Sequence, residues 1–525
     1  MRKSGILAAV FSLPNKYGIG CFSKEAYDFV DFLADSKQRY WQILPLGPTG
    51  YGDSPYQSFS TFAGNPYYID LQEFIDNEWL SEKECDEAYE EHYERIIKKN
   101  LNKSDIKKAE KEGRLLFDNF EEIGRNYVDY EAQYRARFSL LKRAYKRSDL
   151  ASNKEYARFI LNEAYWLDDY ALYMAIKDYN RGASFYDWED DIRLREKKAL
   201  DKAREELSFD IGFYKFLQFY FKKQWLKLKA YANEKGVEII GDIPIYVAAD
   251  SADTWANPEL FMMDIESRPI GVAGCPPDYF SATGQLWGNP LYDWDAHKRD
   301  NYSWWIKRLK KCFELYDVVR IDHFRAFDEY YFIPFGDITA EFGHWEPGPG
   351  YELFKAVDKE LGRPRIIAED LGFLTSTVLK LVKKTGYPGM KVLEFAFDSA
   401  EDNDYLPHNY DKNCVVYTGT HDNDTVKGWY KTLKRVDKAN LREYLCIKNA
   451  KNLNKDMIRL AESSTADTCI VPIQDVFGLG SEARINTPST LGYNWKWRIA
   501  PSLLEGENRN KACDFLSKVT MLYGR

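Results

Sequence analysis

The sequence lacks paired cysteines, long apolar runs and an excess of positive charge, and each absence excludes a class of protein. Its eight cysteines occur singly, without a Cys-x-x-Cys pair, which indicates reduced thiols rather than a disulfide framework. No segment approaches the roughly 20 consecutive apolar residues that a membrane span requires. The net charge of −9 disfavours a polyanionic partner such as nucleic acid. We therefore expect a cytoplasmic protein without membrane or nucleic-acid partners.

Aromatic residues, by contrast, are abundant. They make up 16% of the 525 residues, with 38 Tyr, 31 Phe and 14 Trp. Core packing accounts for most of them, but some are expected on a sugar-binding surface, because a pyranose ring presents C–H faces that pack on aromatic rings. The chain is longer than an ordinary domain, although one large α/β barrel with long insertions accommodates this length.

Eight segments have the composition of parallel strands that are buried on both faces. Most are continuous apolar runs, and helical patterns separate them, the clearest being the apolar stripe of residues 302–316. Eight strands alternating with helices predict an α/β protein with a (β/α)₈ TIM barrel. The predicted strands lie near residues 4–10, 40–44, 237–242, 317–322, 365–369, 390–395, 414–418 and 468–472.

The spacing of these strands predicts the insertions. About 195 residues separate the second and third strands, far more than an ordinary crossover. Residues 70–210, rich in Lys, Glu, Tyr and Arg, are predicted to form a helical insertion whose charged faces are solvated. Shorter insertions at 245–295 and 325–355 contain Gly, Pro and Trp and are predicted as loops at the active-site end. Residues 1–525 are thus interpreted as a single catalytic barrel with inserted, mainly helical subdomains.

Three acidic clusters each end one of the predicted strands. They are Arg320-Ile321-Asp322-His323 on the fourth, Glu369-Asp370 on the fifth and His421-Asp422 on the seventh. Parallel barrels build active sites at the carboxyl ends of their strands, and paired carboxylates cleave glycosidic bonds. A buried Arg–Asp pair, a salt bridge at a strand edge or an Asx-turn would explain any one cluster alone. All three on one barrel favour catalysis.

The neighbours of these acids predict their chemistry. Residues i and i+2 of a strand project to the same side, so Arg320 and Asp322 should both point into the barrel mouth. The cation would keep Asp322 ionised, as a nucleophile requires. The apolar strand before Glu369 should desolvate this carboxyl, raise its pKa and suit it to general acid catalysis. His421 and Asp422 together offer a donor and an acceptor for adjacent sugar hydroxyls.

This arrangement of acids resembles the α-amylase superfamily. Within it, several further segments resemble the 4-alpha-glucanotransferases, also called amylomaltases or disproportionating enzymes, of glycoside hydrolase family 77. The matches run from residue 4 to residue 488, which is nearly the whole chain. They include Ser4-Gly5-Ile6-Leu7, Gly52-Asp53-Ser54-Pro55-Tyr56-Gln57-Ser58, Gly241-Asp242-Ile243-Pro244-Ile245-Tyr246-Val247, Gly274-Cys275-Pro276-Pro277-Asp278-Tyr279-Phe280, Gln285-Leu286-Trp287-Gly288-Asn289-Pro290 and Ile485-Asn486-Thr487-Pro488.

The resemblance implies roles for individual residues. Asp322 would be the nucleophile, Glu369 the acid/base and Asp422 the stabiliser of the distorted donor sugar. The remaining expected substrate-binding residues are Arg320, His323 and His421 around the donor ring, Asp242 as the first carboxylate of the family, Tyr56 and Trp287 as stacking surfaces, Asn486 as a polar contact, Asp278 on a lip over the acceptor, and Ser54 and Gln285 within the matched segments. Plain loop packing is the alternative for Tyr56 and Trp287.

The resemblance also implies an activity. A 4-alpha-glucanotransferase moves a segment of an α-1,4-glucan or maltooligosaccharide to the 4-hydroxyl of glucose or of another glucan, by a retaining double displacement. No cofactor and no metal is expected, since the acids carry the chemistry and no His/Cys cluster has zinc spacing. A monomer or weak homo-oligomer is expected. The alternatives are an α-amylase-like retaining hydrolase and a non-catalytic glucan-binding protein.

Overall fold

The computed structural model describes residues 2–50, 52–100, 127–150, 152–277, 281–372, 374–397, 403–490 and 492–525, with only the backbone described for 92–100. Eight parallel strands form one sheet that curves into a barrel, in the order β10-β11-β12-β1-β2-β3-β6-β9. Ala368 N–H donates to Pro388 O at 3.0 Å and thereby joins the two end strands. The barrel strands are β1 (Lys3–Leu7), β2 (Tyr40–Gln42), β3 (Glu238–Pro244), β6 (Val318–Asp322), β9 (Ile366–Ala368), β10 (Gly389–Val392), β11 (Cys414–Tyr417) and β12 (Thr468–Pro472).

The (β/α)₈ barrel predicted from the sequence is therefore confirmed, with a strand at each of the eight predicted positions. The register explains why the acidic clusters meet. Pro244 of β3 lies opposite Asp322 of β6, and Ile321 lies opposite Ala368 of β9. Asp322 follows Ile321 and Glu369 follows Ala368, so the two acids lie at the same level at the ends of adjacent strands.

Helices surround the barrel, and their ends follow local sequence signals. The helix Ser376–Thr385 begins at Thr375, whose Oγ1 accepts from Val378 N at 3.4 Å, and ends at Gly386, where φ is 73°. In the described ranges, the α-helices of four or more residues are Lys24–Asp35, Gln72–Asp76, Glu82–Asn100, Phe138–Arg147, Lys154–Tyr179, Asp190–Arg193, Lys197–Glu206, Ser208–Glu234, Ala252–Ala256, Trp294–Arg299, Ser303–Leu315, Tyr351–Leu361, Ser376–Thr385, Val426–Thr432, Arg435–Tyr444, Leu453–Ser463, Ile473–Phe477 and Gly506–Leu522.

Beyond the loop that follows β2, the described part of the interval before β3 is mainly helical. Lys154–Tyr179 and Ser208–Glu234 are its longest helices, and both bury aromatic side chains such as Tyr170 and Phe216. The division of the chain at 70 and 210 stays a prediction. Of the helices in the described ranges, none combines the length and apolarity needed to cross a membrane.

A second sheet lies beside the barrel, within the segments that the sequence analysis interpreted as loops. Its strands are antiparallel in the order β5-β4-β7-β8: β4 (Gly271–Cys275), β5 (Gln285–Pro290), β7 (Glu329–Pro334) and β8 (His344–Pro347). Short strands, a bulge between Val272 and Gly274, and exposed edge residues weaken its sequence pattern. This sheet carries part of the wall of the cleft at the carboxyl end of the barrel.

Candidate active site

Arg320 links two carboxylates at the mouth of the barrel. Its Nη1 donates to both oxygens of Asp242 at 2.7 Å, and its Nη2 donates to Asp322 Oδ1 at 2.8 Å. Arg320 and Asp322, two residues apart on β6, do project to the same side, as the sequence predicted. Burial raises the pKa of Asp242, although the Arg320 guanidinium opposes this effect. Asp322 remains partly exposed to the cleft and has one oxygen outside this ion pair.

Glu369 forms no ion pair with the described residues and is held by backbone groups. Its Oε2 accepts from His323 N–H at 2.7 Å and its Oε1 from Leu371 N–H at 2.8 Å. Burial, followed by the negative charge of Asp322, raises the pKa of Glu369 to about 7. The predicted effect of desolvation on this carboxyl is thus confirmed. A carboxyl with this proton affinity can give a proton and take it back near neutral pH.

Asp422 has the opposite environment. Desolvation opposes its ionisation, but the charge of His421 and hydrogen bonds from His421 and Asn486 outweigh that effect and lower its pKa far below the ordinary value. His421 Nε2 lies 3.3 Å from Asp422 Oδ2, and Asn486 Nδ2 donates to Asp422 Oδ1 at 2.6 Å. Burial disfavours the charged form of His421, whereas Asp422 raises its pKa. Asp422 is therefore kept anionic.

Tyr56 connects Asp242 with His421 across the cleft. Its hydroxyl donates to Asp242 Oδ2 at 2.9 Å and lies 2.9 Å from His421 Nε2, while its ring stacks on the His421 ring with centroids 5.2 Å apart. Burial and the charge of Asp242 raise the pKa of Tyr56 well above its usual value, so the phenol stays protonated. Its contact with a sugar ring stays a prediction, although Tyr56 does line the cleft.

The cleft is a cavity of about 720 Å³, within the size range of ligand sites. It brings together most of the predicted site residues. His323 lies in it with a left-handed backbone, φ 55°, and the Trp287 ring meets the His323 ring edge-on with centroids 4.8 Å apart. Burial lowers the pKa of His323 to about 4, so the imidazole is neutral. The predicted residues that line the cavity are Ser54, Tyr56, Gln285, Trp287, Asp322, His323, His421, Asp422 and Asn486. Asp278 lies outside the described residues.

Two residues that hold this site together were not predicted from the sequence. Arg484 donates through Nη2 to the carbonyl of Asp422 and through Nε to the carbonyl of Asn486, both at 2.7 Å. Trp495 lines the cleft and contacts Tyr56, with ring centroids 5.6 Å apart. Both residues lie close in sequence to the matched segment at 485–488, which was one available signal. The other was Trp495 itself, because a tryptophan in a polar, glycine-containing loop indicates a binding surface.

Comparison with known proteins gives one consistent family. The sequence profile of the 4-alpha-glucanotransferases matches residues 8–504. A 4-alpha-glucanotransferase of Clostridium butyricum is 46% identical over 98% of this chain and 99% of the relative, and one of Thermus thermophilus is 44% identical over 97% and 96%. The structure of an amylomaltase from Streptococcus agalactiae in complex with acarbose superimposes with a TM-score of 0.89 at 38% identity, with 100% of both chains covered. The chain belongs to the 4-alpha-glucanotransferase family.

Proposed function

We propose that the protein is a 4-alpha-glucanotransferase in which Asp322 is the nucleophile, Glu369 the acid/base and Asp422 the stabiliser of the donor sugar. The observation that carries this assignment is the contrast between Asp322 and Glu369. They end adjacent strands in one register, yet Asp322 is paired with a guanidinium and Glu369 is a carboxyl with a pKa of about 7. Carboxyls whose environments differ in this way act as base or nucleophile and as acid, respectively.

The first step breaks the donor chain. Asp322 attacks the anomeric carbon of an α-1,4-glucan while Glu369 gives its proton to the departing glycosidic oxygen. The products are a β-linked glycosyl ester on Asp322 and the released fragment with a free 4-hydroxyl. Asp422, held anionic by His421 and Asn486, accepts hydrogen bonds from hydroxyls of the distorted donor ring.

The second step forms the new chain. Glu369, now ionised, takes the proton from the 4-hydroxyl of an acceptor, whose oxygen displaces Asp322 and restores the α-linkage. The acceptor is glucose or the nonreducing end of another glucan. Transfer requires that a sugar rather than water occupies the acceptor side, and the Trp287 indole beside His323 offers an apolar surface for it. Membership of the family supports transfer over the alternative, an α-amylase-like hydrolysis.

Eight cysteines outside any disulfide, six of them buried, support a reducing, cytoplasmic location. The activity is tested by incubating the protein with maltotriose and following both oligomer length and total reducing ends. Transfer gives glucose and longer oligomers while the number of reducing ends stays constant. Hydrolysis would make that number rise with time and would overturn the proposal.

A further inference from the structure

Two apolar side chains beside the cleft are exposed to solvent, on the loop between β7 and β8. Ile338 is 92% exposed and Phe342 is 79% exposed. Val272, Tyr331 and Ile333 of the second sheet and Ala340 of the loop are buried and form a small core of their own. The loop thus buries Ala340 but leaves Ile338 and Phe342 exposed to solvent. Neighbouring apolar groups left in solvent indicate an interaction surface.

The loop is fixed to the wall of the cleft. Ala340, fully buried, donates its N–H to Thr283 O at 3.0 Å, and its carbonyl accepts from the Tyr331 hydroxyl at 3.0 Å. Thr283 lines the cleft. Ile338 and Phe342 each lie two residues from Ala340, and two residues of extended chain span at most ~7 Å. The exposed pair consequently lies immediately beyond the rim of the active site.

Close packing joins the wall of the cleft to this loop. Leu286 lines the cavity between Gln285 and Trp287 and is itself 39% exposed. Gly284, two residues before it, lies against Ala340, because a Cβ built at this glycine would be 2.8 Å from the Ala340 Cβ. The wall of the cleft and the base of the exposed loop are thus packed directly against each other.

The charge of this surface limits what it can bind. Residues 329–347 contain no Lys or Arg, and Asp337 and Glu341 flank the two exposed side chains. Nucleic acid and other polyanions would be repelled. A neutral polymer with apolar C–H faces and many hydroxyl groups fits, because its sugar faces pack on the aliphatic and aromatic side chains while its hydroxyls reach the carboxylates.

We propose that Ile338 and Phe342 form an outer subsite for the part of an α-glucan chain that protrudes from the cleft. This inference rests on the proposed function and extends it to chain-length preference. A trisaccharide is accommodated by the cleft itself and does not reach the loop, whereas amylose does. The outer subsite therefore strengthens the binding of long glucans and leaves the chemistry at Asp322 unchanged.

The test compares the doubly substituted Ile338→Ser, Phe342→Ser protein with the wild type. Transfer to glucose is measured with maltotriose and with amylose as donors. We expect KM for amylose to rise about 10-fold or more, because a buried Phe or Ile side chain contributes on this scale. kcat with amylose, and both constants with maltotriose, should stay within about 2-fold, a difference of less than 0.5 kcal/mol. Leu379→Ser is the matched control, since Leu379 is 51% exposed on the outer helix Ser376–Thr385.

Three outcomes would overturn the inference. They are an unchanged KM for amylose, an equal loss with both donors, and a change of oligomeric state on size-exclusion chromatography that accounts for the loss, which would make the loop a contact with a second copy of the chain. The proposed function is tested separately. Rising reducing ends in the wild-type protein would reject transfer, whereas the length dependence of KM would still report on the outer subsite.

Discussion

Acidic side chains lie at both ends of the barrel, but their partners differ. At the amino end, two buried or half-buried acids each pair with a cation. Glu238 contacts Lys3 and Arg365, and Glu462 lies 3.2 Å from the Arg525 guanidinium and accepts from Ser4 Oγ at 2.7 Å. These pairs join β1, β3 and the helix Leu453–Ser463 to their surroundings and leave little unbalanced charge.

At the carboxyl end, acids outnumber cations. Asp242, Asp322 and Glu369 face the single guanidinium of Arg320, and Glu369 makes no direct contact with it. The surplus negative charge adds to burial and raises the pKa of Glu369 to about 7. The balanced charges of Glu238 and Glu462 thus connect elements of the fold, whereas charge left unbalanced in the buried site supplies proton transfer.

The largest effect should come from Asp322→Asn. An amide cannot form the glycosyl ester, so we expect kcat/KM for transfer to fall ~10⁴-fold or more. The matched control is Asp317→Asn, at the other end of the same strand, where Oδ2 accepts from Ile239 N at 2.8 Å and from Asn233 Nδ2 at 2.9 Å. That variant should lose roughly 1 kcal/mol of unfolding free energy and keep its activity. Comparable activity losses in the two variants would contradict the distinction between the barrel ends.

Glu369→Gln should lower transfer from maltotriose by ~10³-fold, the usual contribution of a general acid. In the wild type, kcat/KM should fall as pH rises through about 7, because only protonated Glu369 can donate in the first step.

The free energy of unfolding should also fall as pH rises. A raised pKa in the folded protein means that the contribution of this proton is present at low pH and is lost as pH rises through about 7. Glu369→Gln should not lose stability in this pH range. If the variant shows the same loss of stability as the wild type, the loss belongs to another group.

Glu462→Gln tests the amino end. Glu462 and Arg525 are 1% and 0% exposed at their side chains, so removing one charge leaves the other buried without its counter-ion. We expect the free energy of unfolding to fall by about 3 kcal/mol, measured by urea denaturation. The activity of the folded fraction should be unchanged. A loss of kcat without a loss of stability would show that this end of the barrel also contributes to catalysis.

The smallest effect is expected for Glu394→Gln. Glu394 is buried at the end of β10, where burial and the charges of Asp475 and Asp424 raise its pKa well above the usual value. Burial therefore favours the neutral carboxyl, which an amide of the same shape replaces. Transfer rates should change by less than about 3-fold and stability by less than 1 kcal/mol. A large loss of either would indicate that Glu394 is ionised.

The sequence predicted the barrel well because its strands are continuous apolar runs, which carry a local signal. The acidic clusters were also visible, since Arg320, Asp322 and Glu369 end such runs and the barrel geometry brings strand ends together. The raised proton affinity of Glu369 followed from the apolar strand before it, because burial is its largest cause.

Contacts between distant parts of the chain were not predictable in the same way. The bonds of the Tyr56 hydroxyl to Asp242 and His421 join residues 186 and 365 positions apart, and no local pattern encodes them. The second sheet escaped prediction because its short, partly exposed strands have neither a long apolar run nor a regular alternation. Arg484 acts through main-chain carbonyls of the site, which any sequence would provide.

The most direct test of the central claim is to trap the glycosyl ester. Glu369→Gln is incubated with α-glucosyl fluoride, whose fluoride leaves without a proton, and the digested protein is analysed by mass spectrometry. Without its base the variant should release the sugar slowly, so the ester accumulates. We predict one added hexosyl group on the peptide of Glu369→Gln that contains Asp322. The double variant, which also carries Asp322→Asn, should have none. A hexosyl group on Asp422, or on a carboxylate at the amino end, would contradict it.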